Sequence, residues 1–140
     1  MVFNGANVAE NFDVSANGGR VRFLRNVANI TMDLDGVERI DTNALGGADT
    51  LTVNDVSGTN LDDVDVELGA TDDGAADRIV ATGTNGDDVV QAVGSAGSVN
   101  VLGLAAAVDV AHANAAQDDL TINTLAGDDV LIGGPGQDTL

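Results

Sequence analysis

Aliphatic residues recur along the chain in short clusters at steps of about ten residues. The later half shows this well, with Val89-Val90, Val99 to Leu104, Val108 to Val110, Leu120 to Ile122 and Val130 to Ile132. Several clusters alternate with polar residues, as in Ile30-Thr31-Met32-Asp33-Leu34 and Val64-Asp65-Val66-Glu67-Leu68. A period of two places alternate side chains on opposite faces of a strand, one face buried and one wet. Glycine- and asparagine-rich punctuation separates the clusters, including Asn17-Gly18-Gly19, Ser57-Gly58-Thr59-Asn60 and Gly94-Ser95-Ala96-Gly97. The alanine-rich piece from Leu104 to Ala116 is the one stretch with helical composition. The alternation Val108-Asp109-Val110 inside it favours a strand. The pattern predicts an all-β chain of short strands.

The clusters repeat over a longer period. Val37-Glu38-Arg39-Ile40, Ala76-Asp77-Arg78-Ile79 and Gln117-Asp118-Asp119-Leu120 each lead into a glycine-containing turn. In each, an aliphatic residue precedes the key glycine by seven positions: Ile40 before Gly47, Ile79 before Gly86, Leu120 before Gly127. The step from Gly47 to Gly86 is 39, and that from Gly86 to Gly127 is 41. A further step back falls on Val8-Ala9-Glu10-Asn11-Phe12, a diverged copy. Repeats near 1–39, 40–78, 79–119 and 120–140 therefore tile the chain, and self-similarity at such a period marks repeat architectures. Short strands, tight turns and a regular repeat favour a parallel β-solenoid (a β-roll or β-helix) over a β-sandwich. The expectation is about two coils per 39–41-residue repeat, with one larger three-sided coil as the second choice. Gly69 to Ala76 reads as a longer loop.

Composition narrows the core and the partners. Phe3, Phe12 and Phe23 are the only aromatics, so the interior is built from Val, Ile, Leu and Ala in thin layers. Asp and Glu number 23 against 5 basic residues, all arginine, for a formal charge of −18. That sign opposes nucleic acid and anionic membrane surfaces and favours cations. No segment approaches the ~20 apolar residues needed to cross a bilayer as a helix. Cysteine is absent, which excludes disulfides and thiolate metal sites. His112 is the single histidine, and no nucleophilic triad assembles around it. With no Lys or Tyr to share acid–base work, catalysis is not expected. The basic cluster Arg20, Arg22 and Arg25 is expected to pair with neighbouring acids such as Asp33, Asp35 and Glu38. Asp33-Leu34-Asp35-Gly36 reads as a turn, since the later ligands of an EF-hand loop are missing.

The glycine–aspartate turns carry the candidate chemistry. Gly133-Gly134-Pro135-Gly136-Gln137-Asp138-Thr139-Leu140 fits the pattern G-G-x-G-x-D-x-U, with U a large aliphatic residue. Gly127-Asp128-Asp129-Val130-Leu131, Gly86-Asp87-Asp88-Val89-Val90 and Gly47-Ala48-Asp49-Thr50-Leu51 fit its second half. In these segments the chain resembles the RTX (haemolysin-type) calcium-binding repeat proteins. The resemblance implies calcium as the cofactor, held by glycine carbonyls and aspartates of stacked turns. Carried over residue by residue, it implies Gly127, Asp129, Gly134, Gly136 and Asp138, together with Gly86, Asp88, Gly47 and Asp49. Calcium takes about six to eight oxygens, and glycine lets a turn aim its carbonyls inward. Turns recurring once per repeat would lie two coils apart, too far to share an ion. On that ground Asp49 and Asp88 serve equally well as ordinary turn residues.

The expected function is a non-catalytic, secreted or cell-surface calcium-binding module of a surface layer, adhesin, fibre or toxin-like protein. A carbohydrate-binding module, or a piece of a β-helical polysaccharide lyase or epimerase, is the alternative. Glycine–aspartate turns run to Leu140 without a polar cap. The chain is accordingly expected to belong to a longer repeat protein, stacking on neighbouring repeats or end to end on itself.

Overall fold

A computed structural model of the chain describes residues 1–69, 73–95 and 97–134. The strands are β1 (Val2–Asn7), β2 (Asn11–Asn17), β3 (Arg20–Arg25), β4 (Ile30–Leu34), β5 (Arg39–Gly46), β6 (Thr50–Val53) and β7 (Asp63–Glu67). They continue with β8 (Arg78–Thr82), β9 (Val89–Ser95), β10 (Ser98–Leu102), β11 (Ala107–Ala111), β12 (Asp119–Asn123) and β13 (Val130–Ile132). The only helical turn among the described residues is a 3-10 turn at Val27–Asn29. The all-β expectation holds. The alternating segments that begin at Ile30 and Val64 fall on β4 and β7, and the alanine-rich piece supplies β11.

The strands form two mixed sheets, in the orders β1-β5-β7-β11-β10-β9-β13 and β12-β8-β6-β2-β3-β4. Parallel pairing joins β1 to β5, β5 to β7 and β7 to β11 in the first sheet, and β13 to β9 at its far side. In the second sheet it joins β2 to β6, β6 to β8 and β8 to β12. Antiparallel pairing joins β2, β3 and β4, and likewise β9, β10 and β11.

This overturns the expected parallel β-solenoid. The cause lies in two short connections. Only Gly18 and Gly19 separate β2 from β3, and Gly18 has φ 64°. Two residues can turn a strand back on itself but cannot carry it to a parallel partner. The connection from β9 to β10 is equally short.

The expected two coils per repeat also fail. Val89 pairs directly with Val130, and Arg78 with Asp119, so one whole repeat advances the chain by a single strand spacing. Likewise Val2 pairs with Asp41, and Asn11 with Thr50. Between these pairs the step changes, because Arg39 faces Asp63 and Thr50 faces Arg78. Ile40 and Ile79 thus sit in different sheets.

Inward residues of both sheets make one core, including Ile40, Val64, Val66 and Val108 from one and Val14, Leu51, Val53 and Ile79 from the other. All three aromatics gather at one place in it. Phe3 lies 5.9 Å from Phe12 and 4.9 Å from Phe23, ring centre to ring centre. The Arg25 guanidinium stands 5.6 Å over the Phe3 ring and pairs with buried Glu10. Arg20 pairs with Asp33 at 2.9 Å and Asp35 at 3.2 Å, as the sequence suggested, whereas Arg25 pairs with Glu10 instead and Arg22 bonds the Ser15 hydroxyl.

Candidate metal centre

The turns before the strands are joined by a ladder of acids. Glu10, Asp49, Asp77 and Asp118 stand immediately before β2, β6, β8 and β12, and Asp88 and Asp129 before β9 and β13. The Glu10 amide donates to Asp49 Oδ1 at 2.8 Å, and the Asp49 amide to Asp77 Oδ1 at 2.8 Å. The Asp77 amide donates to Asp118 Oδ1 at 2.9 Å, and the Asp88 amide to Asp129 Oδ1 at 2.9 Å. Three of these acids also accept from the amide four residues earlier. Ala6 bonds Glu10 Oε2 at 2.7 Å, Thr84 bonds Asp88 Oδ2 at 2.8 Å and Asn114 bonds Asp118 Oδ2 at 2.6 Å. A carboxylate so placed satisfies turn amides that would otherwise be stranded as the strands begin.

The turn residues singled out from the sequence belong to this ladder. Gly86 and Gly127 meet in adjacent layers, as do Asp88 and Asp129. Gly127 has φ 142°, and a Cβ there would lie 2.5 Å from the Gly86 carbonyl oxygen. Gly47, with φ 116°, presses on the Val8–Ala9 peptide in the same way. Asp49 therefore joins Glu10 and Asp77, not Asp88. Gly134 approaches the Ala92 carbonyl beyond β13, while Gly136 and Asp138 lie outside the described residues. In the described turns the carboxylates are engaged with backbone amides. The Thr84 hydroxyl takes the second oxygen of Asp88, at 3.1 Å.

Burial raises the Asp49 carboxyl to about 7, and the charges of Asp77, Glu10 and Asp73 add to the rise. The bond from the Glu10 amide opposes it. Asp49 Oδ2 is buried without a partner. Burial and the neighbouring Asp118 and Asp73 raise Asp77 in the same sense. Asp73 moves down, because the Gly47 and Ala75 amides bond its charged form.

A different group of acids lies on the outer face of the seven-stranded sheet. Asp41, Asp65 and Asp109 are cross-strand neighbours on β5, β7 and β11, with Arg39 facing Asp63 in the adjoining row. Their inward neighbours Ile40, Val64, Val66, Val108 and Val110 are buried, so strand alternation turns the acids outward. Carboxylate oxygens of Asp63, Asp65 and Asp109 all lie within 4.8 Å of one another. Among the described residues this is the one group of three acids close enough to share a metal ion.

Arg39 is their counter-charge. It reaches Asp41 Oδ1 at 2.6 Å, Asp63 Oδ2 at 3.0 Å and Asp65 Oδ2 at 2.7 Å. One guanidinium does not balance four acids. Asp63 Oδ1 and Asp109 Oδ1 are shielded from solvent with no hydrogen-bond partner. Desolvation raises the Asp65 carboxyl to about 6, with the Asp63 charge and a bond to Asp41 adding to the rise and Arg39 opposing it. Asp109 is raised by burial and by Asp63. Asp41 is lowered, chiefly by its bond to Arg39.

Sequence reasoning did not single out Asp63, Asp65 or Asp109. The alternation around Asp65 and Asp109 places both on a wet face, but their proximity depends on register. His112, just past the end of β11, is exposed and pairs with Glu67. No known protein family, curated protein or solved structure matches the chain.

Proposed function

We propose that the chain is a non-catalytic structural module that binds calcium, with Asp63, Asp65 and Asp109 as its principal site. The observation that carries this reading is the 4.8 Å limit on the distances among their oxygens. Oxygens bound to one calcium at about 2.3–2.6 Å lie within about 5 Å of each other, twice the bond length. Three aspartates offer up to six oxygens, and water completes the shell of a hard cation. The formal charge of −18 adds a field that concentrates divalent cations near the sheet. The resemblance of the glycine–aspartate segments to RTX repeats in sequence suggests calcium as the ion. An extracellular or cell-surface location suits a calcium site of this kind, since extracellular modules bind calcium at about 10⁻⁴–10⁻³ M.

Isothermal titration of the chain with calcium, paired with terbium luminescence, tests the reading. Wild type is expected to bind at millimolar calcium or tighter. The double variant D65N/D109N is expected to weaken binding at least about tenfold, equivalent to ~1.4 kcal/mol. Equal binding by the two proteins would sink the assignment. Binding lost only in D88N/D129N would move the site to the turns.

A further inference from the structure

On the outer face of the six-stranded sheet an open cleft of about 470 Å³ lies across β6, β2 and β3 and the turn leading into β4. We propose that this cleft binds a neutral sugar unit of a glycan. Its size falls in the range of about 300–1,000 Å³ typical of small-molecule sites. Asn11 and Asp13 alternate with buried Phe12 and Val14, and Thr50 and Thr52 with buried Leu51 and Val53. Cross-strand pairing sets Asn11 beside Thr50 and Asp13 beside Thr52. The polar side chains therefore form two short rows, on a base that the core holds fixed.

The far wall is the turn from Asn26 to Asn29, and it is tied to β2. Asn26 Oδ1 accepts from the Asn11 amide at 2.7 Å, and the Asn26 amide donates to the Asn11 carbonyl at 3.0 Å. Ala28 and Asn29 hold consecutive left-handed conformations, with φ 61° and 51°. Such backbone is costly for non-glycine residues and persists only where surroundings enforce it. The wall is thus preorganised.

The chemistry of the lining selects the ligand. Leu24 and Ile30 are half-buried and give the cleft a small aliphatic patch, suited to the C–H face of a pyranose. The side chains of Asn11, Asn29, Thr31, Thr50 and Thr52 bond to nothing among the described residues and are free to meet hydroxyls. Asp13 is oriented by Asn54, whose Nδ2 donates to Asp13 Oδ2 at 2.9 Å. Arg25, the one cation in the lining, is already neutralised by Glu10. No positive charge is left for a phosphate or a uronate, and the formal charge of −18 repels both. Anions are thereby excluded, and the unpaired amides and hydroxyls of the lining fit the hydroxyls of a neutral sugar.

A glycan array probed with the full chain, followed by titration calorimetry on each hit, tests the proposal. Free hexoses run beside the oligosaccharides separate recognition of a single unit from recognition of a chain. Expected is binding to at least one neutral glycan, retained in EDTA and in D65N/D109N, because the cleft and the aspartate cluster occupy different sheets. T52V keeps the shape of an outward side chain and removes its hydroxyl. It is expected to weaken binding about fivefold, the value of one hydrogen bond. N11A is expected to do the same, with unchanged circular dichroism certifying the fold of both variants. Absence of any neutral ligand overturns the proposal, as does preference for acidic glycans or affinity unchanged in both variants.

Discussion

Arg39 Nη2 lies 2.7 Å from Asp65 Oδ2, and the same guanidinium reaches Asp63 and Asp41. The arginine thus neutralises part of the charge that would draw a metal ion, and it competes with that ion for the carboxylates of Asp63 and Asp65. R39M is expected to raise terbium affinity severalfold while lowering the thermal midpoint in EDTA, since like charges opposite one another on a sheet are destabilising. Weaker terbium binding in R39M would show that Arg39 supports the site instead of competing for it.

Stability should also depend on pH, with a sign set by the raised carboxyls, Asp49 and Asp65 foremost. Asp49 rises to about 7 and Asp65 to about 6, both above the ordinary value near 3.8. Between those limits the folded chain binds more protons than the unfolded chain. Protonation therefore favours folding, and the contribution of these two groups declines as pH rises from about 4 to 7. Asp41 and Asp73, which are lowered, act in the opposite sense and lose their contribution as pH falls below 3.8. Urea denaturation in EDTA should find greater stability near pH 5 than near pH 8. D49N should flatten that slope. A midpoint that climbs steadily from pH 5 to 8 would contradict the burial of Asp49.

Removal of one ladder carboxylate should leave a buried amide unsatisfied. D49A deprives the Glu10 amide of its acceptor and is expected to cost about 1–3 kcal/mol. Asparagine keeps an acceptor oxygen in place, so D49N should cost less than D49A at neutral pH. Chemical denaturation of the two variants side by side measures the difference, and equal losses would argue against the hydrogen bond.

The paired glycines Gly86 and Gly127 should respond differently to alanine. At Gly127 both the left-handed backbone and the Gly86 carbonyl oppose a side chain, and G127A is expected to lose about 1–3 kcal/mol. At Gly86 the nearest atom to a new Cβ is the Thr84 hydroxyl oxygen, at 3.5 Å. G86A should stay within about 0.5 kcal/mol of wild type. The thermal midpoints of the two variants give the comparison.

The strands were legible in the sequence because period-two alternation reports directly on burial. Ile30 to Leu34 and Val64 to Leu68 show it, and Val108-Asp109-Val110 outweighed the alanines around it. Strand direction was not legible from that pattern, which names the buried face and not the neighbour. Asn17-Gly18-Gly19 held the missing information, since so short a link turns β2 back onto β3. The repeat step was real between β1 and β5 and between β9 and β13. It failed between β6 and β8, where the segment before Arg78 sets a shorter offset. The acid cluster was hidden for a related reason. Asp65 and Asp109 are more than one repeat apart along the chain, and only the pairing of β7 with β11 makes them neighbours.

The ladder has a direction. Each of the four amides donates to a carboxylate later in the chain, so an acid at this place protects an amide of the layer before it, and Glu10, Asp88 and Asp118 protect one in their own turn as well. Hydrogen exchange should make this visible at single residues. Loss of the Asp49 carboxylate would expose the Glu10 amide, and loss of Asp118 would expose that of Asp77. Part of each layer's resistance to local opening is thus written one layer ahead, which couples neighbouring layers into a common unit of exchange.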